Sequence, residues 1–175
     1  MLLLVHLAES LYRGYSVSED YISDLGVGPE TSRWLFTAAI ILFGSMALVT
    51  AFLLRQNSGK SFVWLLLALS GIGAIGVGIF NEDYIPEVHA LFALMVFFFG
   101  NMAAIYSYRT VRPPLSYLFV LLGLIGLSAL ILFGTGTYLG LGAGGMERMI
   151  FYPAMFWTLG FGGYMMAEER RTQPR

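Results

Sequence analysis

Gly78-Ile79-Phe80-Asn81-Glu82-Asp83-Tyr84-Ile85-Pro86-Glu87-Val88-His89 separates two long apolar runs in a chain that is only 12% charged. Asn81, Glu82, Asp83, Glu87 and His89 crowd into this one connection. A bilayer core about 30 Å thick is crossed by a helix of roughly 20 apolar residues, and a run of that size lies on each side of the stretch. It therefore reads as a short polar lip between two membrane-embedded helices, with Pro86 suited to the first turn of the second one.

The same reading extends outward in both directions. Hydrophobic residues make up 57% of the chain and aromatics 15%, and the mean hydropathy is +0.72, more than a soluble domain of this size needs for its core. Apolar runs punctuated by polar, glycine and proline clusters predict spans at about 1–14, 31–54, 61–80, 86–108, 115–133 and 146–167. The fold expected over 1–175 is all-α, a single integral membrane bundle of six transmembrane helices with no soluble domain. The first run is short. At 1.5 Å per residue, about 14 residues reach only about 21 Å, so this helix must thin the membrane, extend through Tyr15 or lack residues at its start. Consecutive prolines at 113 and 114 break the chain before the fifth helix, a glycine-rich segment over 134–145 precedes the sixth, and Pro153 predicts a kink within it.

Basic residues set the expected orientation, because Lys and Arg in short loops stay cytoplasmic. With both termini inside, Arg55, Lys60, Arg109, Arg112, Arg170, Arg171 and Arg175 are internal, and only Arg13, Arg33 and Arg148 are external. Glu19, Asp20, Asp24, Glu30, Glu82, Asp83, Glu87 and Glu147 then gather outside. The chain is expected in the cell membrane as a multi-pass protein with an acidic outer face. A formal charge of −1 leaves no footprint for nucleic acid. The absence of cysteine excludes disulfides, thiolate metal ligands and a cysteine nucleophile.

Several local patterns bear on chemistry. Gly71-Ile72-Gly73-Ala74-Ile75-Gly76 matches a dinucleotide-binding string, but inside a membrane span it signals close helix packing, with Ser70, Ala74 and Gly78 along one face. Gly100 with Ala104, and Gly160 with Gly163 and Tyr164, read the same way, and such glycine-rich faces also offer a surface for a homo-oligomer. His6, Glu9 and Arg13 fall within about 60° of one another on the first helix. They form either a structural ion pair with a hydrogen-bonded histidine or part of a site. His89 sits one turn after Pro86, where the helix N-terminus favours a neutral ring able to accept a hydrogen bond or bind a metal. The alternative for this lip is a helix cap made by Asn81 or Asp83 among solvated acids. The glycines before Glu147-Arg148 read either as a flexible outer loop or as an anion cradle in which Arg148 meets a phosphate.

Tyr21-Ile22-Ser23-Asp24-Leu25-Gly26, Gly78-Ile79-Phe80-Asn81-Glu82-Asp83 with Val88-His89, and Glu147-Arg148 together resemble a six-helix prokaryotic membrane family, domain of unknown function 998, over nearly the whole chain. The layout is also similar to DRAM-like and PGAP membrane proteins, the latter linked to lipid remodelling of GPI anchors. The family's usual proline is replaced here by Asn81. Zinc-dependent intramembrane ceramidases resemble a three-histidine design, whereas this chain has only His6 and His89.

The functional expectation is an outer site acting on or binding lipid headgroups. His89, Asp83, Asp24 and Arg148 are its catalytic candidates, with Asp20 as an alternative acid and Glu9 beneath. His89, His6 and Asp83 are the candidate ligands for a divalent metal, and membrane lipids are the expected partners. A non-enzymatic scaffold or a small-solute or cation carrier is the alternative. The absence of an internal repeat, and of ionisable groups deep in the third to fifth helices, weighs against transport.

Overall fold

Proline, glycine and charge end the helices close to where they interrupt the apolar runs. A computed structural model of the chain describes residues 1–57 and 62–172. Among these residues are six α-helices: α1 (Leu2–Leu11), α2 (Glu30–Asn57), α3 (Val63–Ile79), α4 (Pro86–Tyr106), α5 (Leu115–Gly134) and α6 (Gly142–Thr172). No strand occurs among them. Lys60 and Arg175, which entered the charge argument, lie outside the described residues.

Glu30–Gln56, Pro86–Arg109 and Leu115–Gly134 are each long and apolar enough to cross a bilayer. α1 and α3 are apolar but shorter. α6 has the length, about 46 Å by its rise, but carries Glu147 and Arg148 near one end and Glu168 and Arg170 near the other. It runs through Pro153 as one helix.

Successive helices pack as neighbours, α2 on α3, α3 on α4 and α4 on α5, while α6 closes the bundle against α4 and α5 and α1 leans on α2. Small residues set how closely they approach. A Cβ on Gly44 would stand 2.7 Å from the Gly71 carbonyl oxygen, and one on Gly71 would stand 2.9 Å from that of Gly44, so α2 and α3 cross backbone to backbone. Gly73 lies equally tight on the Phe92 carbonyl of α4, and Gly123 on the Asn101 carbonyl. With little hydrophobic force between helices in lipid, such contact is what holds a membrane bundle together. The glycines of α3, and Gly123 and Gly126 of α5, are thus occupied within the bundle, whereas Gly134 at the end of α5 and Gly162 and Gly163 of α6 meet open space.

Large apolar side chains meanwhile point outward along the long helices, among them Leu42, Met46, Val49 and Phe52 on α2 and Leu121, Leu124 and Ile131 on α5. The two ends differ in charge. Arg55, stacked on Trp64, and Arg109, over Tyr106 and Tyr108, mark one end. There, exposed Arg112 also faces Glu168 at 3.4 Å. The acidic stretch before α4 and the segment between α1 and α2 form the other end.

Candidate functional site

The segment between α1 and α2 is a folded strap, built from hydrogen bonds its own sequence supplies. The Asp20 carboxylate accepts from the Ser16 amide at 2.7 Å, and that of Asp24 from the Tyr21 amide at 2.7 Å. The Tyr15 hydroxyl donates to the Tyr21 carbonyl at 2.7 Å. Burial pushes this hydroxyl's pKa well above its ordinary range, so it remains a donor. Ile22 and Leu25 are buried beneath the strap, and a 3-10 turn over Ser23–Gly26 carries it toward α2.

Arg148 ties the strap to α6. Its Nη1 donates to the carbonyls of Val17, Asp20 and Gly144 at 2.8, 3.1 and 2.9 Å. Its Nη2 donates to Glu9 Oε1 and to the Tyr15 hydroxyl, both at 2.6 Å. Glycine is needed where α6 begins, because a Cβ on Gly142 or Gly144 would run into the Ser18 and Asp20 carbonyls. The Gly145 amide donates to the Ser18 carbonyl at 3.0 Å. This corrects the anion-cradle reading: the amide and the guanidinium that were to hold a phosphate are already bonded to protein. The glycine-rich segment is a docked connection.

Glu147 points elsewhere, since adjacent residues of a helix diverge by about 100°. Its Oε2 accepts the Ile22 amide at 2.5 Å, and the side chain is buried. Beside it lies a cavity of about 40 Å³, apolar along Phe36, Ile40 and Phe97 and polar where His89, Glu147 and Ser23 reach it. His89 is buried, and its Nδ1 lies 2.8 Å from the Phe80 carbonyl. A carbonyl can only accept, so Nδ1 carries a proton, and in the neutral tautomer this leaves the lone pair on Nε2. No protein hydrogen bond reaches His89 Nε2 or Glu147 Oε1 among the described residues. The polar end therefore offers two polar atoms without a protein partner, placed to hydrogen-bond a hydroxyl or amino group.

The Ser23 hydroxyl donates to Glu82 Oε2 at 3.4 Å, and the Asp24 carboxyl lies close enough to Glu82 to share a proton with it. Burial, the neighbouring Asp24 carboxyl and the charge of Glu147 push the Glu82 pKa up to about 8. Glu82 Oε1, buried and without a partner, becomes a donor when protonated. An acid whose pKa is higher folded than unfolded takes up a proton on folding. Its contribution to stability is full below the ordinary value of 4.5 and is lost as pH rises through about 8. The melting temperature of the wild type, measured against that of Glu82→Gln, should therefore fall between about pH 5 and about pH 9, by roughly 2–4 °C for each kcal/mol the proton contributes. A difference between the two proteins that does not change with pH would refute the protonated pair.

Not all of the expected site residues converge. Asp24 and His89 belong to the acidic end, but Asp83 is exposed and Glu82 is the acid turned inward. Arg148 is a tether rather than an open anion contact. Glu9 pairs with Arg148 and not with Arg13, because α1 ends at Leu11 and Tyr12 is extended, which takes Arg13 off the helical face and rules out extension through Tyr15. His6 is exposed, stacked on Tyr152, with Nδ1 2.9 Å from the Leu2 carbonyl. The expected metal set of His89, His6 and Asp83 is not assembled: no three His, Asp or Glu side chains gather as ligands among the described residues. Neither Asn81 nor Asp83 caps α4, whose N-cap is Ile85. The Asn81 side chain instead accepts from the Tyr84 amide at 3.3 Å. Sequence reasoning passed over Glu82, Glu147 and Tyr15 as members of the site, and the only local sign of Glu147 was its position next to an arginine.

Fold and site together define an all-α protein with bilayer-length helices and a polar cavity end built on a buried histidine and carboxylate. The family model described as "Protein of unknown function (DUF998)" matches residues 1–163, and the chain belongs to that family. No curated protein and no solved structure matches it.

Proposed function

We propose that this is a six-span protein of the cell membrane, with both termini cytoplasmic, that binds a membrane-derived amphiphile at its acidic outer end. The observation that carries the reading is the apolar cavity ending at buried His89 and Glu147, a greasy pocket with a few convergent polar groups. The topology rests on the concentration of arginine at one end and acid at the other. A ligand entering sideways from the bilayer needs no polar route across the membrane, consistent with the absence of one in α3 and α5. The motif-level similarity to PGAP proteins points toward lipid as well. Arg148 is already bonded, so recognition falls to His89 and Glu147 rather than to a phosphate contact.

The test uses native mass spectrometry on protein extracted from its own membrane, comparing wild type with His89→Ala and with Ala93→Leu, which fills the cavity wall. Wild type should retain a small amphiphile that both variants lose. In intact cells, a cysteine at exposed Asp83 should react with an impermeant thiol reagent, and one at exposed Tyr108 should not. A wild type that carries nothing, or retention unchanged in both variants, would end the binding proposal. The reverse labelling pattern would overturn the topology.

A further inference from the structure

A second cavity, of about 20 Å³, lies deeper in the bundle among Ser70, Gly100, Ala154, Trp157 and Thr158. Phe43, Val96, Phe97 and Phe151 line both cavities, so the two are neighbours divided by these four side chains. The deeper one offers a ligand little polarity. The Ser70 hydroxyl donates to the Val96 carbonyl at 3.2 Å, and that of Thr158 to the Ala154 carbonyl at 2.8 Å. The upper one is lined on its polar side by His89, Glu147 and Ser23.

Resting on the binding reading above, we infer that the ligand is an unbranched aliphatic chain with a hydrogen-bond-donating head, an alcohol or a primary amine. Its head lies at His89 and Glu147, and its chain passes between the side chains shared by the two cavities to reach Gly100. A single linear chain parts these four side chains with less displacement than a branched or two-chain ligand would need. With Nδ1 bonded to the Phe80 carbonyl, His89 meets a ligand through Nε2, where a hydroxyl or amine can donate and a carboxylate cannot. Volume sets the length. One water-sized group needs about 10–15 Å³ of such space, so cavities of about 40 and about 20 Å³ hold about four or five methylenes before side chains must move.

The experiment places the purified full chain in phosphatidylcholine nanodiscs and measures binding of n-alkan-1-ols, n-alkylamines and n-alkanoates from about four to about ten carbons. For alcohols and amines, affinity should rise about fourfold per added carbon and level off after about five or six carbons, when both cavities are full. Gly100→Leu extends into the deeper cavity, since a Cβ there meets Ser70 Oγ at 3.3 Å and Ala154 Cβ at 3.9 Å. It should bring the plateau forward by about one or two carbons. Ala154→Val fills the same space more gently and should act in the same direction if Gly100→Leu fails to fold. A plateau at the same length in wild type and variant places the chain elsewhere and overturns the inference while leaving the upper site standing. Alkanoates binding as tightly as alcohols and amines would overturn the donor head. If no compound of any head or length binds, the binding reading fails and this inference with it.

Discussion

Arg148→Met is expected to lower the melting temperature by about 10 °C or more, the largest effect of any single substitution at the acidic end. The guanidinium and Glu9 have side chains only 5% and 10% exposed and meet at 2.6 Å. Removing one member of a buried pair leaves the other charge without compensation, at a typical cost of about 3–5 kcal/mol, and each kcal/mol moves the melting point of a chain this size by about 2–4 °C. The carbonyls of Val17, Asp20 and Gly144 and the Tyr15 hydroxyl lose a donor at the same time. The strap should loosen with the helix, seen as faster amide exchange over residues 12–29 than over α4. Adding Glu9→Gln to Arg148→Met should recover part of the loss, because a neutral amide in place of the stranded carboxylate no longer needs the arginine. An Arg148→Met protein that melts within a degree or two of wild type would show that the pair holds nothing together.

The second large effect lies mid-bundle. Asn101 is fully buried; its amide donates to the Phe97 carbonyl at 2.8 Å and to the Ile150 carbonyl at 3.3 Å, linking α4 to α6. Its Oδ1 has no donor and lies over Gly126 of α5, where a Cβ would collide with Oδ1 and Cγ. Gly126→Ala should therefore cost about 3 kcal/mol, the upper part of the range for overpacking a tight core. Asn101→Ala removes the three atoms nearest to the new methyl. Alone it should cost only about 1 kcal/mol, as polar contacts between membrane helices commonly do. In that background Gly126→Ala should be nearly neutral, a strong coupling in a double-mutant cycle. Equal destabilisation in both backgrounds would mean that the collision is with the backbone and not with Asn101.

These two sites show how legibility varied along the chain. The breaks at Pro86, at Pro113-Pro114 and before Gly142 could be read directly, because each acts on its own backbone within one turn. The fourth and fifth helices accordingly lie within about two residues of their expected bounds. α1 fell short of its expected end at residue 14, since no proline or glycine announces Leu11 as its last residue. What stops it is the strap, whose Tyr15 and Asp20 must turn back toward α6.

The glycine spacing in α3 showed that some helix would pack closely there, and it did not name Gly44 and Phe92 as the partners. Asp83 and Glu82 are adjacent acids, and which of them turns inward depends on how the α3–α4 connection meets Ser23 and Asp24. Glu147 and Arg148 are adjacent on one helix, yet one ends the cavity and the other fastens the strap.

From the sequence alone come the all-α class, the long apolar helices and the separation of basic from acidic ends, because hydrophobic length, backbone breaks and loop charge are local properties that need no partner. Only the tertiary structure decides that Glu9 neutralises Arg148, that Glu82 rather than Asp83 faces Asp24, and that His89 and Glu147 end one cavity. Those pairings join positions far apart in the chain, and the cost of burying each charge or polar atom is met only where folding delivers its particular partner.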